Sequence, residues 1–235
     1  MPRREKEFKV AGIKQLLLSS VMLVIQMVVF FISVGHIDGP RPWIFFGASF
    51  LHYSVSTAVQ YKLNPELLVQ RLKIRRKGSK LWDEILMRAS NLTVLIAVPA
   101  VAGLDIGRFQ SPSLDVPFAV AGFVLFITST ILLNWAMAVN PHFEQTVRIQ
   151  KDRDHKVITC GPYKMVRHPG YLAGILFTLS IPLIIGSVFT LIPSGIYSLL
   201  MITRTSLEDR VLHKELEGYS EYAKRVRYRL FPGIL

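Results

Sequence analysis

The residues best suited to chemistry lie in two polar segments, 140–171 and 204–235, on either side of a long uncharged run. The first reads Asn140-Pro-His-Phe-Glu, Val147-Arg-Ile-Gln150, His155-Lys-Val-Ile-Thr-Cys-Gly161-Pro-Tyr163 and Val166-Arg-His-Pro-Gly-Tyr171. Two marks, Gly161-Pro162 and Pro169-Gly170, bracket Tyr163 to His168. Each proline restricts its own backbone and that of the residue before it, so the stretch is a fixed, irregular loop. Such a loop can offer backbone N–H and C=O groups to a ligand. The second segment opens Arg204-Thr-Ser-Leu-Glu208-Asp209. Arg204 and Glu208 stand four apart and share one face of a helix. Between the two segments a pocket would be half in water and half at the level of lipid headgroups. It would suit a small polar cofactor on one side and a lipid-like substrate on the other. Taken singly, each residue has a plainer role. His168 before Pro169 can bridge a turn, and Arg204–Glu208 can be a surface ion pair of ~0.3–0.5 kcal/mol. Tyr219, Tyr222 and Tyr228 can form an interfacial aromatic belt, and Pro232-Gly233 a terminal turn. His52, inside an apolar run, is functional by default or satisfied by packing.

The elements that must position these residues follow from where charge is missing. Of the 235 residues 51% are hydrophobic and 19% charged, yet the net charge is +12; the pI is near 10.0 and mean hydropathy +0.37. A nucleic-acid binder would spread Lys and Arg over a polar surface, a disulfide scaffold would need more than Cys160, and a disordered chain would be less apolar. Uncharged runs cover 15–37, 42–61, 89–104, 116–143 and 172–203. A bilayer core of ~30 Å takes ~20 helical residues. The first, second and fourth runs therefore each span once, and the third, of 16 residues, is marginal. The fifth is too long for one span and, with Pro182, Gly186 and Ser187 near its middle, folds as a hairpin of two short spans. The sequence thus predicts an all-α, polytopic membrane helical bundle of about six spans. The last two form a tight hairpin, and the cofactor pocket lies at the cytoplasmic face.

With the N-terminus inside, segments 1–14, 62–91, 140–168 and 204–235 hold 26 of the 28 Lys and Arg residues. That asymmetry is what the positive-inside rule expects of an integral, multi-pass protein with cytoplasmic N- and C-termini. The first run is too long for the h-region of a cleavable signal. The basic cluster 70–80 is placed to hold anionic lipid headgroups. Two parts are expected: 1–139, membrane helices with a basic cytosolic loop, and 140–235, the cofactor-binding and catalytic region.

The order Gln150, His155, Gly161-Pro-Tyr163, Arg167-His-Pro-Gly-Tyr171, hairpin, Arg204 with Glu208, and Gly218-Tyr219…Tyr222…Val226 resembles the isoprenylcysteine carboxyl methyltransferase family. That family and the related phospholipid methyltransferases are integral membrane enzymes that use S-adenosyl-L-methionine. The resemblance covers roughly 140–235 and is softer upstream, at Asn64-Pro-Glu-Leu-Leu and Trp82-Asp83. It implies cofactor contacts from Gln150, His155, Lys156, Val157, Ile158, Tyr163, His168, Pro169, Gly170, Tyr171 and Glu208. Arg204 would face the methyl acceptor and hold its carboxylate, so that Arg204 and Glu208 carry the catalysis. A lipophilic or small-molecule acceptor, contact with membrane lipids, no nucleic acid and no metal complete the expectation. The physical reading agrees. In-line transfer from a sulfonium needs mainly orientation, tyrosine rings can attract a cation, and a carboxylate acceptor is already ionised at pH 7.

The chain departs from the family where eukaryotic members carry a run of acids after the arginine. Here Ser206-Leu207-Glu208-Asp209 keeps only two. The acceptor could be a carboxylate, an amine or a thiol. Two other readings stand beside this one. Membrane sterol and steroid reductases, which bind NADPH, share a C-terminal pattern like Val226–Pro232. The other is a non-enzymatic membrane protein such as a small transporter; against it, no span carries a charged pathway and the sequence shows no internal repeat of the kind transporters have.

Overall fold

The computed structural model describes residues 2–73, 78–109 and 112–233. Part of the basic cluster, 74–77, lies outside the described residues. The first helix, α1 (Pro2–Val34), has 33 residues and at ~1.5 Å per residue is ~50 Å long, well beyond the apolar core of a bilayer. Its charged first turns therefore stand clear, where Arg4 pairs with Glu66 at 2.8 Å. That contact brings α1 to α3 (Pro65–Arg71), which follows α2 (Pro40–Leu63). Leu18, Val21, Val24, Val28 and Ile32 of α1 are exposed while Leu23, Phe30 and Val34 are buried. An apolar outer face of this kind is what lipid, not water, accepts.

Among the described residues, three helical stretches are long and apolar enough to cross a membrane: Arg4–Val34, Leu81–Phe109 and Val116–Val139. The marginal third run is thus longer than expected. It joins α4 (Leu81–Leu92) to α5 (Val98–Leu104) through π-helical turns at Thr93–Ala97 and Asp105–Phe109, giving 29 residues in all. The extra residue of a π turn leaves backbone carbonyls open, and Gln26 Nε2 of α1 donates to Val94 O at 3.2 Å. The second run, by contrast, forms a 24-residue helix whose hydropathy is cut by a polar stripe of Ser49, His52, Ser56, Thr57 and Gln60, all buried. α2 turns this stripe toward α6 (Val116–Val139), where Asn134 Nδ2 donates to Ser56 Oγ at 3.0 Å. His52 Nδ1 likewise lies 2.9 Å from Thr130 Oγ1 of α6, so two members of the stripe are engaged by a neighbouring helix rather than by lipid.

The expected hairpin is α7 (Pro169–Ile185) and α8 (Leu191–Glu215). Gly186, at φ 92, ends α7 in the left-handed region that only glycine adopts freely. Asp105 Oδ2 then accepts from Ser187 Oγ at 2.6 Å and from Phe189 N at 3.2 Å, holding the turn against the second π turn. α6 and α7 form the most extensive pairing. A Cβ on Gly122 would meet Ile184 backbone N at 2.9 Å, so glycine is what lets the two helices approach. A buried cluster of Phe30, Phe45, Phe46, Phe126 and Ile184 fills the bundle at this level. The result is all-helical among the described residues. At one end, contacts join 62–83, 140–168 and the polar end of α8: Asn64 to Met137 O at 3.0 Å, and Lys80 to Glu215 at 2.8 Å. α9 (Tyr219–Arg225) closes that end.

Candidate active site

A cavity of about 520 Å³ opens inside this polar end, within the range of small-molecule sites. Gln150, His155, Lys156, Val157, Ile158, Tyr163, His168, Pro169, Gly170, Tyr171, Arg204 and Glu208 all line it. It also runs inward between the helices, past Ala173 and Phe177 of α7, to His52 and Tyr53 of α2 and Ser129 of α6. One cavity therefore connects the irregular loop to the interior of the bundle.

Glu208 and Arg204 do not pair with each other. The Tyr171 hydroxyl donates to Glu208 Oε2. Arg204 turns to α4, where its Nε donates to Asp83 Oδ1 at 2.6 Å and its Nη2 to the Gln145 carbonyl at 2.5 Å. The guanidinium carbon lies 5.1 Å from the Tyr171 ring centre. Asp83 is fully buried, and its Oδ2 accepts from Val147 N at 2.8 Å. Removing one partner of such a buried pair costs ~3–5 kcal/mol, because the other charge is left uncompensated. Arg204 is thus fixed in direction before any ligand arrives, with Nη1 free of protein hydrogen bonds among the described residues.

Behind the cavity wall, Asp209 gathers the chain. Arg167 Nε and Nη2 donate to its two oxygens, each at 2.9 Å. His168 Nε2 lies 3.2 Å from Oδ1, the Tyr219 hydroxyl donates to Oδ1 at 2.8 Å, and Arg229 Nε to Oδ2 at 3.1 Å. Burial alone would push this carboxyl up, but the bonds from His168, Arg167 and Tyr219 outweigh it and hold the carboxyl well below the usual range. The backbone follows the same path: Arg167 N donates to Tyr228 O at 2.9 Å and His168 N to Arg229 O at 3.0 Å. Tyr219 and Tyr222 are consequently not an interfacial belt. Both are buried, and the Tyr222 hydroxyl donates to Tyr163 O at 2.7 Å. Tyr163 accepts at its own hydroxyl from Asn140 Nδ2 at 2.7 Å, and burial raises its phenol above the ordinary value.

The loop 140–160 makes the remaining wall. Gln150 is buried and its amide is spent on protein: Nε2 donates to His142 O at 2.8 Å, and Oε1 accepts from Arg153 Nη1 at 2.9 Å. The His142 and His155 rings pack 4.5 Å apart. Burial lowers both, aided at His155 by His142, Arg148 and Arg153, so His155 titrates at about 4. Lys156 reaches outward, with Nζ 2.6 Å from Asp154. Gly170 serves packing: a Cβ there would sit 2.5 Å from a carbon of the Phe143 ring. Pro169 occupies the first turn of α7, where its missing N–H costs nothing. Residues 155–159 make no backbone–backbone hydrogen bonds among the described residues, and 155–158 line the cavity. Lys156 N donates to His142 Nε2 at 3.5 Å; the other amides and the carbonyls of the stretch are available to a ligand.

Sequence reasoning missed Asp83, Asn140, His142, Arg167 and Asp209 as parts of this site. Arg167 and Asp209 carried a signal, since each adjoins a residue that was singled out. Asp83 lies 121 residues from its partner Arg204, and only its place in Trp82-Asp83, where the resemblance is softer, pointed to it.

Against known proteins, the model of the isoprenylcysteine carboxyl methyltransferase (ICMT) family matches residues 121–214. That match spans 94 of the 235 residues. That stretch contains every residue expected at the site, from Gln150 to Glu208. Among solved structures, the chain is similar to the eukaryotic intramembrane Ras methyltransferase ICMT, described without a monobody, at 17% identity. The TM-score is 0.46, with 86% of this chain and 71% of that chain covered; so distant a likeness carries no weight below. No curated protein matches this chain.

Proposed function

We propose that this ICMT-like integral membrane protein is a methyltransferase that uses S-adenosyl-L-methionine to methylate a lipophilic or small acceptor at a carboxylate. The observation that carries the reading is the single cavity. It brings the Glu208 carboxylate, the backbone of 155–158, which makes no backbone–backbone hydrogen bonds among the described residues, and the prefixed Arg204 guanidinium into one lining. These groups fit the cofactor. Free amides and carbonyls suit its adenine and amino-acid ends, and a carboxylate with tyrosine rings suits a cation. When bound, the cofactor supplies a methyl group on a positively charged sulfur.

The chain's own residues then orient and exclude water. Glu208, steadied by Tyr171, offsets positive charge. Tyr163, held by Asn140 and Tyr222, forms a rigid wall. Arg204 presents its unengaged Nη1 to the acceptor carboxylate, a charge-assisted bond of well-defined geometry. No general base is required, because the carboxylate is ionised at neutral pH. The positive-inside pattern supports a cytoplasmic cavity and cytoplasmic termini, and 140–235 as the region that holds cofactor and chemistry. Calorimetry on the purified protein tests the core of this reading. Binding of S-adenosylmethionine and not of NADPH is expected. NADPH binding alone would favour the reductase chemistry, and binding of neither would point to a protein that is not an enzyme.

A further inference from the structure

The inner end of the cavity carries an unusual polar group. His52 of α2 lines it, with Nδ1 2.9 Å from Thr130 Oγ1 of α6. Thr130 Oγ1 donates its own proton to the Phe126 carbonyl at 2.9 Å, so toward His52 it accepts, and Nδ1 carries the ring hydrogen. In a neutral imidazole the other nitrogen is then a lone-pair acceptor. His52 Nε2 has no protein partner among the described residues. The ring cannot swing away, because Tyr53, Phe126 and Phe177 pack around it at 5.2, 5.8 and 5.4 Å. Ser129 and Asn91 line the same cavity, also without side-chain hydrogen bonds among the described residues.

Depth follows from α7. Phe177, against His52, lies six residues beyond Tyr171, against Arg204, or ~9 Å at ~1.5 Å per residue. His52 is too far from that guanidinium to act on a carboxylate held there. It can instead meet the far end of the same molecule. A plain hydrocarbon tail would cover Nε2 without replacing the hydrogen bond it makes to water, which burial penalises. We propose that His52 Nε2 accepts a hydrogen bond from the acceptor's tail. The acceptor is then an amphipathic acid bearing a hydroxyl or N–H group at least ~9 Å from the methylated carboxylate, a lower bound set by the rise of α7. This rests on the methyl-transfer reading above and adds the substrate class to it.

The probes are straight-chain ω-hydroxy acids and their unsubstituted counterparts of equal length, offered with labelled S-adenosylmethionine to the whole protein in lipid nanodiscs. At the best-fitting length, kcat/KM for the hydroxy acid is expected to exceed that for the plain acid by at least about tenfold, chiefly through KM, since a site built for a hydroxyl rejects its absence. His52→Phe keeps the ring packing and should bring the ratio close to one. Thr130→Val leaves the ring in place but frees Nδ1, so the ratio should fall partway. Equal use of the two acids by the wild type overturns the proposal, as does a ratio unchanged in both variants. Turnover of neither acid by protein that binds S-adenosylmethionine also overturns it. Absence of that binding would instead remove the methyl-transfer reading on which it stands.

Discussion

At the scale of the residue, the site is decided by which partner each charged group chooses. Arg204 is held by Asp83 and Gln145 and lies over Tyr171; Glu208 is held by Tyr171. Their four-residue spacing suggested a weak surface pair, and the structure separates them because a buried aspartate from another helix is the stronger partner. Arg204→Lys keeps the charge but loses the planar fork. Turnover should fall by roughly a hundredfold with S-adenosylmethionine affinity nearly unchanged, as a kinetic and calorimetric pair would show. Glu208→Gln should do the reverse, weakening cofactor binding by about tenfold, as expected when a charged hydrogen-bond partner is lost. Asp83→Asn releases the guanidinium, so it should raise the acceptor KM more than it alters cofactor affinity.

Elements hold these residues through two devices, one anchored on Asp209 and one on the paired histidines. Asp209 ties α8, the loop before α7, α9 and the C-terminal segment into one unit. Asp209→Asn should lower thermal stability by about 3–5 kcal/mol, the usual loss on breaking a buried pair. It should weaken cofactor binding as well, because Tyr163 and His168 are carried on the same loop. The folded-state pKa of Asp209 is depressed, so its contribution is fully present above the unfolded value of ~3.9 and fails only as pH drops below it. His155 has the same sign in another window. Its folded value of about 4 lies below the ordinary 6.5, so the unfolded chain takes up a proton first and stability declines as pH falls from 6.5 toward 4. Thermal melts across that range should show the decline, and His155→Asn should flatten it.

At the scale of the molecule, the charge asymmetry and the fold make one prediction about sides. Cys160 is the sole cysteine, it is exposed, and it lies on the loop that borders the cavity. An impermeant maleimide should label it in inverted vesicles and leave it unlabelled in intact cells; the opposite pattern would reverse the orientation. Much of this architecture was legible beforehand. Uncharged runs locate the helices because lipid rejects unpaired charge, and glycine and proline locate the turn of the hairpin and the rigid loop because they restrict or free the backbone locally. The motif from Gln150 to Glu208 likewise located one side of the cavity, being contiguous but for the hairpin. Long-range pairings were not legible. The second run reads as a plain span, and only the fold shows its polar stripe meeting Asn134 and Thr130 of α6; the third run reads as short until π turns extend it into flanking polar sequence. Nothing near Arg204 in the chain announces Asp83, and nothing near His52 announces Thr130. Sequence by itself determined that the chain is a helical membrane protein and which segments line its cavity, since both depend on local composition and spacing. Tertiary structure alone decided where Arg204 points, what Asp209 joins, and that a free histidine nitrogen waits at the inner end of the cavity. Each of these depends on groups far apart in sequence that meet only when burial makes an unpaired charge or lone pair costly.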